Sequence, residues 1–128
     1  MTDMRTPLSR VRGLGSAKDG TEHFWLQRLT ALALIPLALF LVILVLSIAH
    51  AGSPAEARAV LGSPFSAILL AASIVAGAVH MQLGMRVIIE DYVHTEGLKA
   101  LALMANSFFA AIVGIASIWA VAKLSFGM

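Results

Sequence analysis

Cysteine is absent from the 128 residues, which excludes a disulfide framework and any thiolate-ligated cluster. A metal held by this chain must therefore rest on histidine, on carboxylate or within a cofactor. Charge is scarce as well: Asp, Glu, Lys and Arg together make up 12% of the sequence, and the net charge is +2. That excess is too small, and too concentrated at the amino end, for nucleic-acid binding, so no nucleic-acid partner is expected. What remains is 59% hydrophobic with a mean hydropathy of +0.90, more apolar surface than a soluble domain of this length can hide in one core. The chain reads as an all-α membrane protein. Internal repeats, low-complexity tracts and a soluble domain are all missing from the sequence.

Residues 1–22 carry Arg5, Arg10, Arg12 and Lys18 among Gly, Ser, Pro and Asp without a sustained apolar period, and read as a cytoplasmic N-terminal arm. The first span is expected over 23–50. Trp25 suits the headgroup level, Arg28 the inner edge, and Pro36 is tolerated because neighbouring helices can re-satisfy the freed carbonyl. Its apolar run is too long for a signal core and lacks a clear cleavage site, so it reads as retained.

An outer loop follows at 51–63. Within it, Ser53-Pro54-Ala55-Glu56 has capping-box spacing with proline at the first helical position, which predicts a short surface helix ended by Gly62. Ser63-Pro64 repeats the start signal and opens a second span over 64–93. A short inner loop at 94–97 leads to a third span over 98–124, whose start could also lie at Glu96. Ala110, Gly114 and Ser117 offer a close-approach face there, and Asn106 and Ser107 can hydrogen-bond across helices. Arg86, Glu90, Asp91 and His94 crowd the end of the second span, which places that end and the N-terminus on the cytoplasmic side.

His80 lies within the bilayer by this count, about 24 Å along the helix from Pro64 and about 18 Å from Tyr92. An ionisable side chain at that depth faces the protein interior. It reads either as a neutral imidazole donating one hydrogen bond to a neighbouring helix or as a haem ligand. Gly84, one turn on, would leave room for a flat macrocycle, and Gly77, one turn back, could serve likewise; each could equally be a packing notch. Asp91 falls close to three turns from His80, on nearly the same face. Tyr92 is either an aromatic anchor at the interface or a phenol donating to a lipophilic carbonyl ligand, with Asp91 adjusting the local charge. Arg86 would pair with Glu90 or snorkel. Arg28 and His23 could bind lipid phosphates or the propionates of a haem. His50 and His94 read as ordinary interfacial residues.

His80-x-x-x-Gly84 followed by Asp91-Tyr92 on the second of three spans, with Phe24-Trp25-Leu26-Gln27-Arg28-Leu29-Thr30-Ala31 opening the first, resembles the smaller membrane-anchor subunit of succinate:quinone oxidoreductase, respiratory complex II. The resemblance covers the whole three-helix layout. It implies that His80 is an axial ligand of haem b, the other coming from a larger cytochrome b anchor subunit. It further implies that Tyr92 hydrogen-bonds a ubiquinone carbonyl beside Asp91, and that Arg28 borders the haem and quinone pocket; His23 is offset from the family pattern. The implied partners are that larger anchor subunit, an iron-sulfur subunit, a flavoprotein that oxidises succinate, and membrane lipid. The implied location is the inner (cytoplasmic) membrane of a bacterium. Alone, such a chain would have no catalytic activity; its expected task is passing electrons from succinate to quinone. The alternatives are the anchor of a quinol:fumarate reductase, or a cofactor-free structural adaptor whose polar stripe only packs helices. A small transporter using Asp91 as a proton site is disfavoured, because the acid lies at a helix end and no paired half-helix pattern is present.

Overall fold

Along the first long helix, the residues that are not fully exposed are His23, Gln27, Thr30, Leu34, Leu37, Phe40, Leu41, Leu44 and Ile48, and all but Phe40 recur in steps of four and three. That seven-residue repeat is the spacing at which one helix keeps a single face against a neighbour. The face is polar in its first three members and apolar in the rest. The C-terminal half of this helix therefore packs by apolar contact, and its N-terminal half packs by hydrogen bonds.

The structure is a computed structural model that describes residues 6–12 and 19–127. It contains α1 (Pro7–Val11), α2 (Asp19–Ala49), α3 (Pro54–Gly62), α4 (Pro64–Tyr92) and α5 (Glu96–Phe126), with no strand among the described residues. Three of these are long and apolar enough to cross a membrane: Thr21–Ala49, Pro64–Tyr92 and Glu96–Phe126. At 1.5 Å per residue each is roughly 43 to 46 Å long, well beyond a hydrocarbon core of about 30 Å, so their ends emerge from the lipid.

Both serine-proline signals act as expected. Ser53 Oγ accepts from Glu56 N–H at 3.2 Å, while Glu56 Oε2 accepts from Gly52 N–H at 2.8 Å, so the acid reaches one residue further back than in a standard capping box. Ser63 Oγ likewise accepts from Ser66 N–H at 3.3 Å to open α4. Two boundaries differ from the expected spans. Helix α2 begins at Asp19, inside the expected arm, because Thr21 and Glu22 can continue the helix and an acid near its start suits the dipole. Helix α5 continues past Lys123 to Phe126, because its stop is Gly127, at φ 68°, whose N–H bonds back to Lys123 O. The arm also holds the single helical turn of α1, and its Arg5 and Lys18 lie outside the described residues.

α4 is the central element. α2 and α5 each pack along it and make no contact with each other, so the spans form an open row. The short helix α3 touches all three spans at the end of the row away from the N-terminus of α2. There Ser125 Oγ donates to Gly62 O at 3.3 Å, and a Cβ on Gly62 would stand 2.8 Å from Leu124 O. The α4–α5 seam uses small residues and amides: Ala110 is buried, the Cβ position of Gly114 lies 3.6 Å from Ala78 Cβ, and Asn106 Nδ2 donates to Gln82 O at 2.9 Å. Gln82 Nε2 in turn donates to Ser107 Oγ at 3.3 Å. These bonds are the cross-helix contacts expected of Asn106 and Ser107.

A row of three helices buries little. Among the described residues only Leu44, Leu83, Ile89, Ala110, Ser66 and Ser73 are buried, while Leu32, Ile35, Phe108 and Ile115 are each about two-thirds exposed. Such faces are stable only against lipid or another apolar helix.

Candidate functional site

The half of the α2–α4 seam nearer the N-terminus of α2 brings together His23, Gln27 and Thr30 of α2 with His80 and Arg86 of α4. His80, half-buried on α4, places Nδ1 3.0 Å from Thr30 Oγ1 on α2. The same hydroxyl oxygen lies 2.8 Å from Leu26 O and 3.1 Å from Gln27 O of its own helix. Among the described residues, His80 Nε2 has no hydrogen-bond partner.

Gln27, one turn before Thr30, packs toward α4 beside Gly84, where a Cβ would lie 3.4 Å from Gln27 Nε2. Its Oε1 is buried without a hydrogen-bond partner. Gly77, on the other side of His80, has nothing within 4 Å of its Cβ position. The two glycines flanking the imidazole therefore differ: Gly84 faces a side chain of α2, and Gly77 faces open space.

Nearer the N-terminus of α2, a groove of about 490 Å³ is lined by His23, Phe24, Gln27, Arg28 and Val87. The Arg28 guanidinium stacks 4.3 Å from the Phe24 ring centroid, and Phe24 meets Trp25 edge to face at 5.9 Å. Arg86 contacts one of the lining residues, its Nη1 donating to His23 Nε2 at 3.1 Å while its Nε lies 2.7 Å from Glu90 Oε1. The pairing of Arg86 with Glu90 was expected; the reach to His23 was not. Two further grooves lie between α4 and α5: one of about 400 Å³ is lined by no titratable side chain, and one of about 350 Å³ is lined by Gln82, Arg86, Leu103, Met104, Ser107 and Phe108.

Asp91 and Tyr92 sit at the end of α4, both exposed, Tyr92 at 78%. Neither side chain makes a hydrogen bond or ion pair with Arg28 or any other described residue. His50 is bound locally, Nδ1 donating to Leu46 O at 2.7 Å, and His94 is exposed. No cluster of three or more His, Cys, Asp or Glu side chains that could hold a metal ion occurs among the described residues. Thr30 and Gln27 have no role that the sequence alone assigns. Their one signal there is the polar stripe 23, 27, 30 on one face of an apolar helix.

A family model described as succinate dehydrogenase/fumarate reductase transmembrane subunit matches residues 2–114. The chain belongs to that family. It is 33% identical over 123 residues to a succinate dehydrogenase hydrophobic membrane anchor subunit from Paracoccus denitrificans, covering 95% of this chain and 93% of the relative. Proteins of the same description from Rickettsia bellii and Rickettsia conorii are 31% and 28% identical, covering 93% and 89% of this chain and 94% and 90% of theirs. No solved structure matches the chain. The chain is a membrane anchor subunit of succinate dehydrogenase, and its three apolar helices make it a multi-pass membrane protein.

Proposed function

We propose that this anchor subunit supplies His80 as one axial ligand of haem b and contributes Tyr92, Asp91 and Arg28 to a ubiquinone site, in a complex that passes electrons from succinate to quinone. The observation that carries the reading is the state of His80, an imidazole at membrane depth with one ring nitrogen held by Thr30 and the other without a partner. A merely structural histidine would be satisfied by the one bond, but a ligand needs the second nitrogen free. The donor set fits a b-type haem, which asks each anchor for a single histidine, and the open side at Gly77 suits a flat ring better than the Gly84 side, which Gln27 adjoins. Gly84 on this reading keeps Gln27 seated at the edge of the same pocket.

Bound haem supplies one-electron redox chemistry. The chain's own part is to hold and orient: His80 through Nε2, Arg28 as a fixed positive charge on the groove wall, and Tyr92 as a phenol able to donate to a quinone carbonyl. Quinone reduction consumes protons while quinone itself resides in lipid, and an exposed Tyr92–Asp91 pair at the membrane edge serves both requirements. The positive arm and the charged end of α4 support an N-terminus in the cytoplasm of a bacterium and a location in its inner membrane. The open row of helices supports a second, larger cytochrome b anchor that covers one face, with the iron-sulfur and flavoprotein subunits docked at the inner ends.

The test is a reduced-minus-oxidised spectrum of the membrane complex that co-purifies with a tagged copy of this chain. The expected result is a b-type absorption band that His80→Ala weakens or removes while the subunits stay assembled. A wild-type complex with no haem band sinks the reading.

A further inference from the structure

We propose that Thr30 is a positioning residue for His80, fixing the imidazole as its Nδ1–H tautomer so that the lone pair lies on Nε2. The proposal rests on the haem reading above and adds to it the identity of the group that aims the ligand.

A threonine hydroxyl has one proton and two lone pairs. Leu26 O, at 2.8 Å, and Gln27 O, at 3.1 Å, can only accept, so the proton has a place to go along α2 itself. The oxygen then faces His80 with a lone pair and accepts from Nδ1–H at 3.0 Å. The reverse arrangement, with Thr30 donating to Nδ1, would leave the Thr30 and Leu26 oxygens 2.8 Å apart with no proton between them. Two unshielded acceptors repel at that distance. The Nδ1–H form avoids the repulsion and gives Nδ1, the Thr30 hydroxyl and the Leu26 carbonyl a partner each.

The helices make this a rigid assignment. Thr30 lies on the packed face of α2, in the same stripe as Gln27, and its χ1 is restricted by branching at Cβ and by the bond back to its own helix. An acceptor held against Nδ1–H orients the ring, and by polarising it strengthens Nε2 as a donor to a metal. Nε2 projects away from the Thr30 side of the ring at a wide angle, and it is the nitrogen without a partner among the described residues.

The experiment compares Thr30→Val, which keeps the shape and removes the hydroxyl, with Thr30→Ser, which keeps the hydroxyl, in the complex co-purified with the tagged chain. Three quantities are read: haem content, the rate at which excess apomyoglobin captures the haem, and the haem midpoint potential. Thr30→Val is expected to weaken haem retention by about ten- to a hundredfold and to raise the potential, because a less basic imidazole stabilises ferric iron less. Thr30→Ser is expected to restore both. A change in assembly or melting temperature alone, with retention and potential unmoved, overturns the proposal, as does a Thr30→Val complex that matches wild type. His80→Ala in parallel separates the two readings: if it retains wild-type haem, the ligand assignment itself fails; if it loses haem while Thr30→Val behaves as wild type, only the role of Thr30 fails. Should Thr30→Val not assemble, an experimental structure of the wild-type complex decides. Iron on Nε2 with Nδ1 against Thr30 supports the proposal, and iron on Nδ1 or a ring turned from Thr30 overturns it.

Discussion

Arg86 of α4 donates through Nη1 to Nε2 of His23 on α2, across 3.1 Å, while its Nε lies 2.7 Å from Glu90 Oε1 one turn along its own helix. An arginine can only donate, so His23 meets it with a lone pair and carries its own proton on Nδ1. The guanidinium thus ties the inner ends of the two helices that enclose His80. The Arg86 and Glu90 side chains are 44% and 43% exposed, and pairs of that exposure contribute little.

Arg86→Leu is accordingly expected to lower stability by no more than about 1 kcal/mol. His23→Phe should cost a similar amount, and the double variant should fall short of the sum, because the two changes remove the same contact. Thermal unfolding of the detergent-solubilised complex checks this. A loss several times larger would mean that a further subunit is bound through the pair.

Glycines at different points of the row predict opposite outcomes. A Cβ on Gly62 would stand 2.8 Å from the Leu124 carbonyl oxygen, a backbone atom that cannot turn aside. Gly62→Ala should therefore push α5 from the outer end and destabilise by about 1 to 3 kcal/mol. Gly77→Ala meets nothing within 4 Å and should leave the chain's own packing unchanged. If the haem lies on that side of His80, Gly77→Ala should instead lower haem content. Melting curves and the haem spectrum, recorded on both variants, separate a packing glycine from a pocket glycine.

Local chemistry made much of the fold legible. Ser53-Pro54 and Ser63-Pro64 announce their helices because a cap needs only neighbours in sequence. Asn106 and Ser107 announce cross-helix bonds because amides and hydroxyls in lipid must find partners. The partner of His80 was not legible in the same way, since Thr30 is 50 residues away on another helix. Nothing local records which helices touch. In α2 both faces are apolar through the C-terminal half, so apolar periodicity cannot show which one packs, and only the polar stripe His23, Gln27, Thr30 marks it. The open row, with α4 between two spans that never meet, is a property of packing for which α3 at the outer end is the visible brace.

Asn106 donates to the Gln82 carbonyl, a backbone group already used within α4, so the bond adds to the helix without replacing part of it. In a membrane interior such a cross-helix bond contributes about 0.6 kcal/mol on average and about 1.7 at most. Asn106→Ala should destabilise by an amount in that range and free the neighbouring Gln82–Ser107 contact to shift. Asn106→Leu should cost more, because a branched side chain must fit a seam spaced for Ala110 and Gly114. Unfolding of the purified complex in mild detergent measures both.

Tyr92 separates a quinone site from a plain interfacial anchor. The ring is 78% exposed at the end of α4, and its hydroxyl has no partner among the described residues. Removing that oxygen therefore takes nothing from the fold, and Tyr92→Phe should leave the melting temperature of the complex within the scatter of a surface change, about 0.5 kcal/mol. Turnover should behave differently. A hydrogen bond of roughly 1 kcal/mol to a quinone carbonyl corresponds to about a fivefold loss in quinone reduction, and more if the phenol also passes a proton. Succinate oxidation measured with a soluble electron acceptor should stay at the wild-type rate, because the flavin end of the complex is untouched. Equal rates for wild type and Tyr92→Phe with quinone would reduce this end of α4 to an aromatic anchor and move the quinone toward the Arg28 groove.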